Sequence, residues 1–292
     1  SGVRWSGKTG KGRVQKDRKK ITGDSALGCH DQICYMGPNS GEAGGGRGSQ
    51  IQMTVLSLRN LGKVYGGRKV VDSVSLELSN QHVVGLLGPN GAGKTTTFYM
   101  TVGMVKPDVG KVLLNEEDMT HYPTHLRARK GVGYLPQEPS IFRKLTVKQN
   151  IMAILETLAM TKVEQQERAD LLLEELGIKH LAGQKAAVLS GGEKRRLEIS
   201  RSLATNPKFM LLDEPFAGVD PLAVIDIKKI IGHLKKRGIG VLISDHNVRD
   251  TLQSCDTAYI LNEGKVVVAG TPEDITSSEI ARKIYLGDEF RL

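Results

Sequence analysis

The chain has 292 residues and a mass of 31.8 kDa, with 39% hydrophobic and 25% charged residues, a size and composition that fit one large folded domain or two small ones. No apolar run approaches the roughly 18–20 residues needed to span a bilayer, so the sequence cannot form a transmembrane path by itself. The formal net charge of +9 is unevenly spread: residues 1–52 hold 12 of the 34 glycines and carry nine Lys/Arg against four Asp/Glu, +5 in all, which leaves +4 on the remaining 240 residues.

Residues 1–52 show no sustained apolar period, and the string GEAGGGRG reads as flexible linker. The segment lacks the apolar core of a secretory signal. It is expected to be a disordered basic extension, with charge that would also suit an arm on nucleic acid or anionic lipid. Cys29, His30 and Cys34 lie close together, but no second ligand pair follows, so a zinc site is not expected. Together with Cys255 they make three cysteines, a usage that fits a reducing compartment.

The folded part is expected to run from residue 53 to 292. Residues 54–59 and 70–78 read as strands of an antiparallel piece. Tyr65, upstream of the glycine loop, precedes a Gly66-Gly67 hairpin turn. An aromatic ring there also suits stacking on a nucleobase, a contact worth roughly 1–3 kcal/mol in base recognition. The apolar run Val83–Leu87 then reads as a buried strand. It leads into Gly88, Pro89, Asn90, Gly91, Ala92, Gly93, Lys94 and Thr95, which fit G-x-x-x-x-G-K-[ST] without departure; Thr95, Thr96 and the residues to 104 read as the start of a helix. Strand, glycine loop and helix are the setting this motif requires. The glycines let backbone N–H groups turn inward on phosphate oxygens, and the helix N-terminus adds its partial positive charge. Lys94 is placed to reach the β- and γ-phosphates of a nucleoside triphosphate and Thr95 to hold Mg²⁺.

Beyond this loop, residues 111–114 and Val132–Leu135 read as short strands, the second followed by Gln137, whose amide carbonyl can bind Mg²⁺ and whose amide can orient water. Residues 147–160 and 162–176 read as helices, the latter closing at Gly177, within a helical insert of about 138–205. The string LSGGE at 189–193 opens another helix: Ser190 and Glu193 fit a capping box. Two glycines in a first turn, Gly191 and Gly192, cost helix stability. Bare N–H groups that approach a phosphate closely would explain them. Residues 208–212 form a strand that ends at Asp213 and Glu214, an Mg²⁺ ligand and a carboxylate placed to polarise attacking water. Asp220 then reads as the N-cap of a helix over 221–237 with Pro221 at its first position. Strand Gly240–Ser244 ends at Asp245 and His246. Functional groups of open α/β sheets collect at the carboxyl ends of strands, which places His246 near the γ-phosphate. Residues 256–260 and 265–269 read as a hairpin, followed by short helices at Pro272–Ser277 and 279–285.

In their order, Tyr65, the glycine loop, Gln137, LSGGE, Asp213-Glu214, Asp220 and His246 resemble the motifs of the ABC transporter ATPases across residues 54–292. The resemblance implies an α/β fold: a P-loop nucleotide-binding core, an antiparallel β subdomain and an α-helical insert carrying the LSGGE string. It implies ATP and Mg²⁺ as ligands and a homodimer packed head to tail, in which Ser190 and Gly192 of one subunit touch the ATP of the other and Asp220 lies at the interface. A helical lobe hinged at Gln137 would carry Ser190 toward that ATP. The resemblance also implies two multi-span membrane permease subunits, which place the ATPase on the cytoplasmic face of the inner membrane. A groove beside Gln137, with Phe142 and Arg143 as its contacts, would receive a short permease helix.

The strings GYLPQEPSIFRKL, LLDEPFAGVDP and the terminal YLGDEFRL narrow the resemblance to the ATPases of lipopolysaccharide exporters. An ATPase of another transporter, such as a branched-chain amino acid importer, is the alternative. A non-transport ATPase acting on ribosomes or DNA ranks lower, since such proteins usually carry two ATPase halves and this chain has one; no nucleic acid partner is expected. Met53 opens the part that carries the resemblance and is the expected translation start.

Overall fold

The computed structural model describes residues 53–287, 289, 290 and 292. The basic extension with its Cys29-His30-Cys34 cluster, and the expected start at Met53 as a matter of what precedes it, lie outside the described residues. Strands β1 (Val55–Tyr65) and β2 (Arg68–Ser79) form an antiparallel hairpin closed by Gly66-Gly67, both at positive φ. Along β2 buried and exposed residues alternate, with Val74, Leu76 and Leu78 turned inward, the period of a sheet with one wet face. Strand β3 (Val83–Leu87) is buried throughout and runs into the glycine loop and helix α1 (Lys94–Val102). Strands β4 (Val109–Leu114) and β5 (Glu117–Asp118) return to the hairpin and give a four-stranded antiparallel sheet in the order β2-β1-β4-β5.

Helix α2 (Thr124–Arg129) leads into β6 (Val132–Leu135). Three helices follow: α3 (Val147–Leu155), α4 (Lys162–Glu175) and α5 (Gly191–Leu203). Each starts at a capping box, on Thr146, Thr161 and Ser190, so the sequence specifies their first turns locally. Val147, Ile151 and Leu155 of α3 meet Ala169, Leu172 and Leu173 of α4 and Leu197 and Leu203 of α5 in one apolar cluster. Strand β7 (Phe209–Asp213), helix α6 (Pro221–Lys236), strand β8 (Gly240–Ser244), helix α7 (Val248–Leu252), the hairpin β9 (Thr257–Asn262) and β10 (Lys265–Gly270), and helices α8 (Pro272–Ser277) and α9 (Glu279–Ala281) complete the fold.

The second sheet has the order β10-β9-β3-β8-β7-β6, with parallel pairing from β9 to β6 and an antiparallel edge at β10. Its central strands are apolar on both faces because both faces are covered. Met210 and Leu212 of β7 point into the cluster shared with the helical lobe, while Phe209 and Leu211 point into the cluster shared with α1 and the antiparallel sheet.

Two helices are shorter than the sequence suggests. The helix expected over 147–160 ends at Leu155, where the Thr157 hydroxyl donates to the Ile154 carbonyl and the chain turns through Leu158 and Met160. The helix expected over 279–285 is α-helical only to Ala281 and continues as a π-helical turn over Arg282–Leu286, which packs Tyr285 and Leu286 on Leu252 and Ile260. Helices α2 and α7 and strand β5 carry too few residues for a readable period.

Candidate functional site

The parallel strands end on one edge of the second sheet, and their order sets out the site: the glycine loop after β3, Asp245 and His246 after β8, Asp213 and Glu214 at the end of β7, and Gln137 just past β6. Gly88 has φ 143°, and a Cβ there would lie 2.1 Å from the Leu261 carbonyl oxygen. Gly93 has φ 102°, and a Cβ would lie 2.6 Å from the Val70 oxygen. Both glycines are therefore fixed by the backbone packed behind them. The Ala92 carbonyl accepts from Gly264 N at 3.0 Å, so the turn between β9 and β10 supports the loop from beneath. Gly91 has φ 79° with open space where its side chain would stand.

Helix α1 begins at Gly93 with no side-chain cap and no acidic residue in its first turn. Its leading N–H groups and the positive end of its dipole thus face the loop uncompensated. Lys94 is buried and donates to the carbonyls of Gly88 (2.6 Å) and Pro89 (3.0 Å). Burial lowers its pKa, and the carboxylates of Glu214, Asp245 and Asp213 pull the other way. Thr95 is exposed and Thr96 half-buried at the mouth of the helix, and Pro89 and Asn90 form the loop's outer rim.

Asp213 is buried, accepts a hydrogen bond from the Tyr134 hydroxyl at 3.3 Å, and has its pKa raised by burial. Glu214 takes the left-handed conformation at φ 45°, unusual for a residue with a side chain. It is held there by Glu214 N donating to Ser244 O at 2.6 Å. Its Oε2 accepts from Gln137 Nε2 at 2.7 Å and lies 3.5 Å from Nδ1 of the exposed His246. The structure thus joins Glu214, Gln137 and His246 around one carboxylate oxygen. Gln137 spends its amide N–H on Glu214, which leaves its carbonyl oxygen for another partner.

Asp245 carries a task not read from the sequence. It is fully buried, with its pKa raised by burial, and accepts from Phe216 N and Asn247 N, both at 2.8 Å. It ties the loop after β7 to the loop after β8 and so sets Glu214 against His246. Its place at a strand end, just before His246, is the signal the sequence offered.

The LSGGE string lies apart from this cluster in hydrogen bonding. Ser190 Oγ accepts from Glu193 N at 3.3 Å, Glu193 Oε2 accepts from Ser190 N at 2.8 Å, and Ser190 O accepts from Lys194 N, all within α5. A Cβ added at Gly191 or Gly192 would meet nothing within 4 Å. No neighbour in this chain demands glycine at either place. Asp220 caps α6, accepting from Ala223 N at 3.0 Å, and is exposed. Tyr65 is 47% exposed with Lys63 Nζ 5.4 Å from its ring centroid, on the hairpin that passes Gly93 through Val70. Phe142 is 44% exposed with the Arg201 guanidinium 4.3 Å from its ring centroid, and Arg143 is exposed beside it.

Thr95, Gln137 and Asp213 offer a hydroxyl, an amide carbonyl and a carboxylate. All are hard oxygen donors, the set Mg²⁺ accepts beside phosphate oxygens.

The ABC transporter family model matches residues 71–217. The chain is 56% identical over 241 residues to the lipopolysaccharide export system ATP-binding protein LptB of Haemophilus influenzae, covering 82% of this chain and 100% of that one. It is 55% identical to LptB of Escherichia coli K12 over the same shares. Among solved structures, the ADP conformation of MJ1267, an ATP-binding cassette of an ABC transporter, matches with a TM-score of 0.73 at 29% identity, covering 80% of this chain and 99% of that one. CbiO1 of Clostridium perfringens, part of the transporter complex cbiONQ, matches with a TM-score of 0.71 at 29% identity, covering 80% and 95%.

Proposed function

This chain belongs to the ABC transporter family of ATPases, and on that premise we propose that it is the ATP-hydrolysing subunit that powers extraction of lipopolysaccharide from the inner membrane for export to the outer membrane. One observation carries the cargo assignment: identity above half to lipopolysaccharide export ATP-binding proteins over their entire length. Among the described residues no helix is long and apolar enough to cross a membrane, so the transport path belongs to partners. Two multi-span permeases are those partners, and they hold the ATPase on the cytoplasmic face of the inner membrane. Phe142 and Arg143, exposed beside the segment that follows Gln137, are its contacts with them.

In this reading Gly88–Thr95 wraps the ATP phosphates, Lys94 leaves its loop carbonyls for the β- and γ-phosphates, and Tyr65 stacks on the adenine. Thr95, Gln137 and Asp213 would hold Mg²⁺, which when bound neutralises phosphate charge. Glu214 accepts a hydrogen bond from the attacking water and takes its proton as the water attacks. The water oxygen forms a bond to the γ-phosphorus as the bond to the ADP oxygen breaks, and His246 steadies the charge on the transferred group.

The LSGGE end of α5 works on the partner's nucleotide. Support for that lies in Gly191 and Gly192, which nothing in their own chain requires. ATP between two head-to-tail subunits favours the closed homodimer by its higher affinity for that state.

The test is to purify tagged Glu214→Gln protein with ATP from membranes of its native host and identify what accompanies it. Two multi-span proteins of a lipopolysaccharide exporter are expected. Permeases of another transporter would discard the cargo, and ribosomes or DNA in their place would discard the transport role.

A further inference from the structure

Arg127 has no part in the chemistry above, yet it heads the largest fully buried side chains, at 1% exposure. Its guanidinium donates to backbone carbonyls: Nε to Tyr122 O (2.9 Å), Nη1 to Met100 O and Thr101 O (2.7 Å each), and Nη2 to Thr120 O (2.9 Å). Met100 and Thr101 belong to the last turn of α1, whose final carbonyls have no partner inside the helix. Gly103 ends α1 at φ 85°, and a Cβ there would lie 2.8 Å from Arg127 Nε. The chain therefore keeps the smallest residue where the guanidinium enters. Burial lowers the guanidinium pKa to about 10, which leaves a cation at neutral pH.

Filling space does not explain such a residue, because an apolar side chain of similar volume is commonly as stable or more so. What α1 offers a cation is the negative end of its dipole. The other end of the same helix is the phosphate cradle. Helix α1 has no basic residue in its own last turn, so the compensating charge comes from another element. Its nine residues span about 13 Å, close enough for a unit charge at one end to act through protein on a polyphosphate at the other.

We propose that Arg127 is a positioning residue for nucleotide binding: it neutralises the carbonyl end of α1, leaves the positive end unopposed toward the phosphates, and fixes the helix against α2, the element that leads through β6 to Gln137. This rests on reading Gly88–Thr95 as the phosphate cradle.

Equilibrium binding of ATP, ADP and adenosine, with steady-state ATPase kinetics, tests it in the full chain. Arg127→Gln is expected to weaken ATP about five- to tenfold. ADP should weaken less and adenosine by less than about twofold, because the effect scales with ligand charge. KM for ATP rises more than kcat falls, and Arg127→Lys, which keeps the charge, recovers most of the ATP affinity. Gly103→Ala, which crowds the guanidinium, gives a second route with the same ordering should Arg127→Gln not fold. An equal loss for all three ligands, or wild-type ATP affinity in a folded variant, overturns the proposal. Lys94→Ala separates the two readings. If it too leaves ATP binding intact, the cradle assignment itself fails; if it weakens ATP while the Arg127 and Gly103 variants do not, only the Arg127 proposal fails.

Discussion

Glu214 sits in a backbone conformation that costs a residue with a side chain of order 1–3 kcal/mol. Its amide hydrogen bond to Ser244 and the Asp245 bridge to Phe216 and Asn247 hold it there. In that conformation its carboxylate meets Gln137 and His246. Replacing it with glutamine keeps the size and removes the proton acceptor. Glu214→Gln is expected to bind ATP with near-normal affinity and to lose about 10²–10⁴-fold in kcat; single-turnover ATPase assays read this, and an unchanged kcat excludes the catalytic role.

At the scale of elements, the glycines of the loop after β3 and of the start of α5 behave in opposite ways. Gly88 is locked by the Leu261 carbonyl, so Gly88→Ala is expected to lower stability by about 3 kcal/mol or more, read as a fall in thermal midpoint. Gly192 faces open space, and alanine favours a helix over glycine. Gly192→Ala is expected to leave the midpoint unchanged or slightly higher while ATPase activity falls; full activity in that variant would mean that nothing approaches the glycine. The strand that feeds the loop is anchored separately. Asp256 accepts from Val83 N at 2.9 Å and from Lys235 Nζ of α6 at 2.5 Å. Burial works against its ionised form, but these hydrogen bonds prevail and its pKa lies below the ordinary carboxylate value. A lowered native pKa gives stabilisation that is complete above the ordinary value and is lost as pH falls through the native one. Asp256→Asn is expected to cost about 1 kcal/mol near neutral pH, a modest figure because Lys235 is partly exposed. Denaturant midpoints of the two proteins should converge below about pH 4; a gap that stays constant with pH would assign the effect to shape rather than charge.

For the whole molecule, the site is built at the edge of one sheet, while the LSGGE end of α5 makes its hydrogen bonds elsewhere. If that end serves a second copy, a bulky cation in place of Ser190 should disturb assembly and not the fold. Ser190→Arg is expected to bind ATP as the wild type does, with ATPase activity reduced at least about tenfold. In the Glu214→Gln background it should abolish the ATP-dependent dimer seen by light scattering. Hydrolysis that persists in Ser190→Arg would place the complete site in a single subunit.

Sequence alone determined the glycine loop between a strand and a helix, the strand-end acids and the capped helix starts, because each depends on residues adjacent in the chain: glycines at fixed offsets, Asp213-Glu214 after a buried run, Ser190 with Glu193. It also gave β6, β8 and α8 with their bounds, through apolar runs and a proline at a helix start. Tertiary structure alone decided where helices 147–160 and 279–285 stop, since a threonine hydroxyl and packing on β9 end them and neither has a periodic signal. It alone showed that Asp245 bridges two loops and that Arg127 from α2 caps α1; the bonds from Phe216 to Asp245 and from Arg127 to Met100 and Thr101 each link residues more than 20 positions apart. Such partners are chosen by how strands and helices stack, a property of the folded chain that no local spacing records.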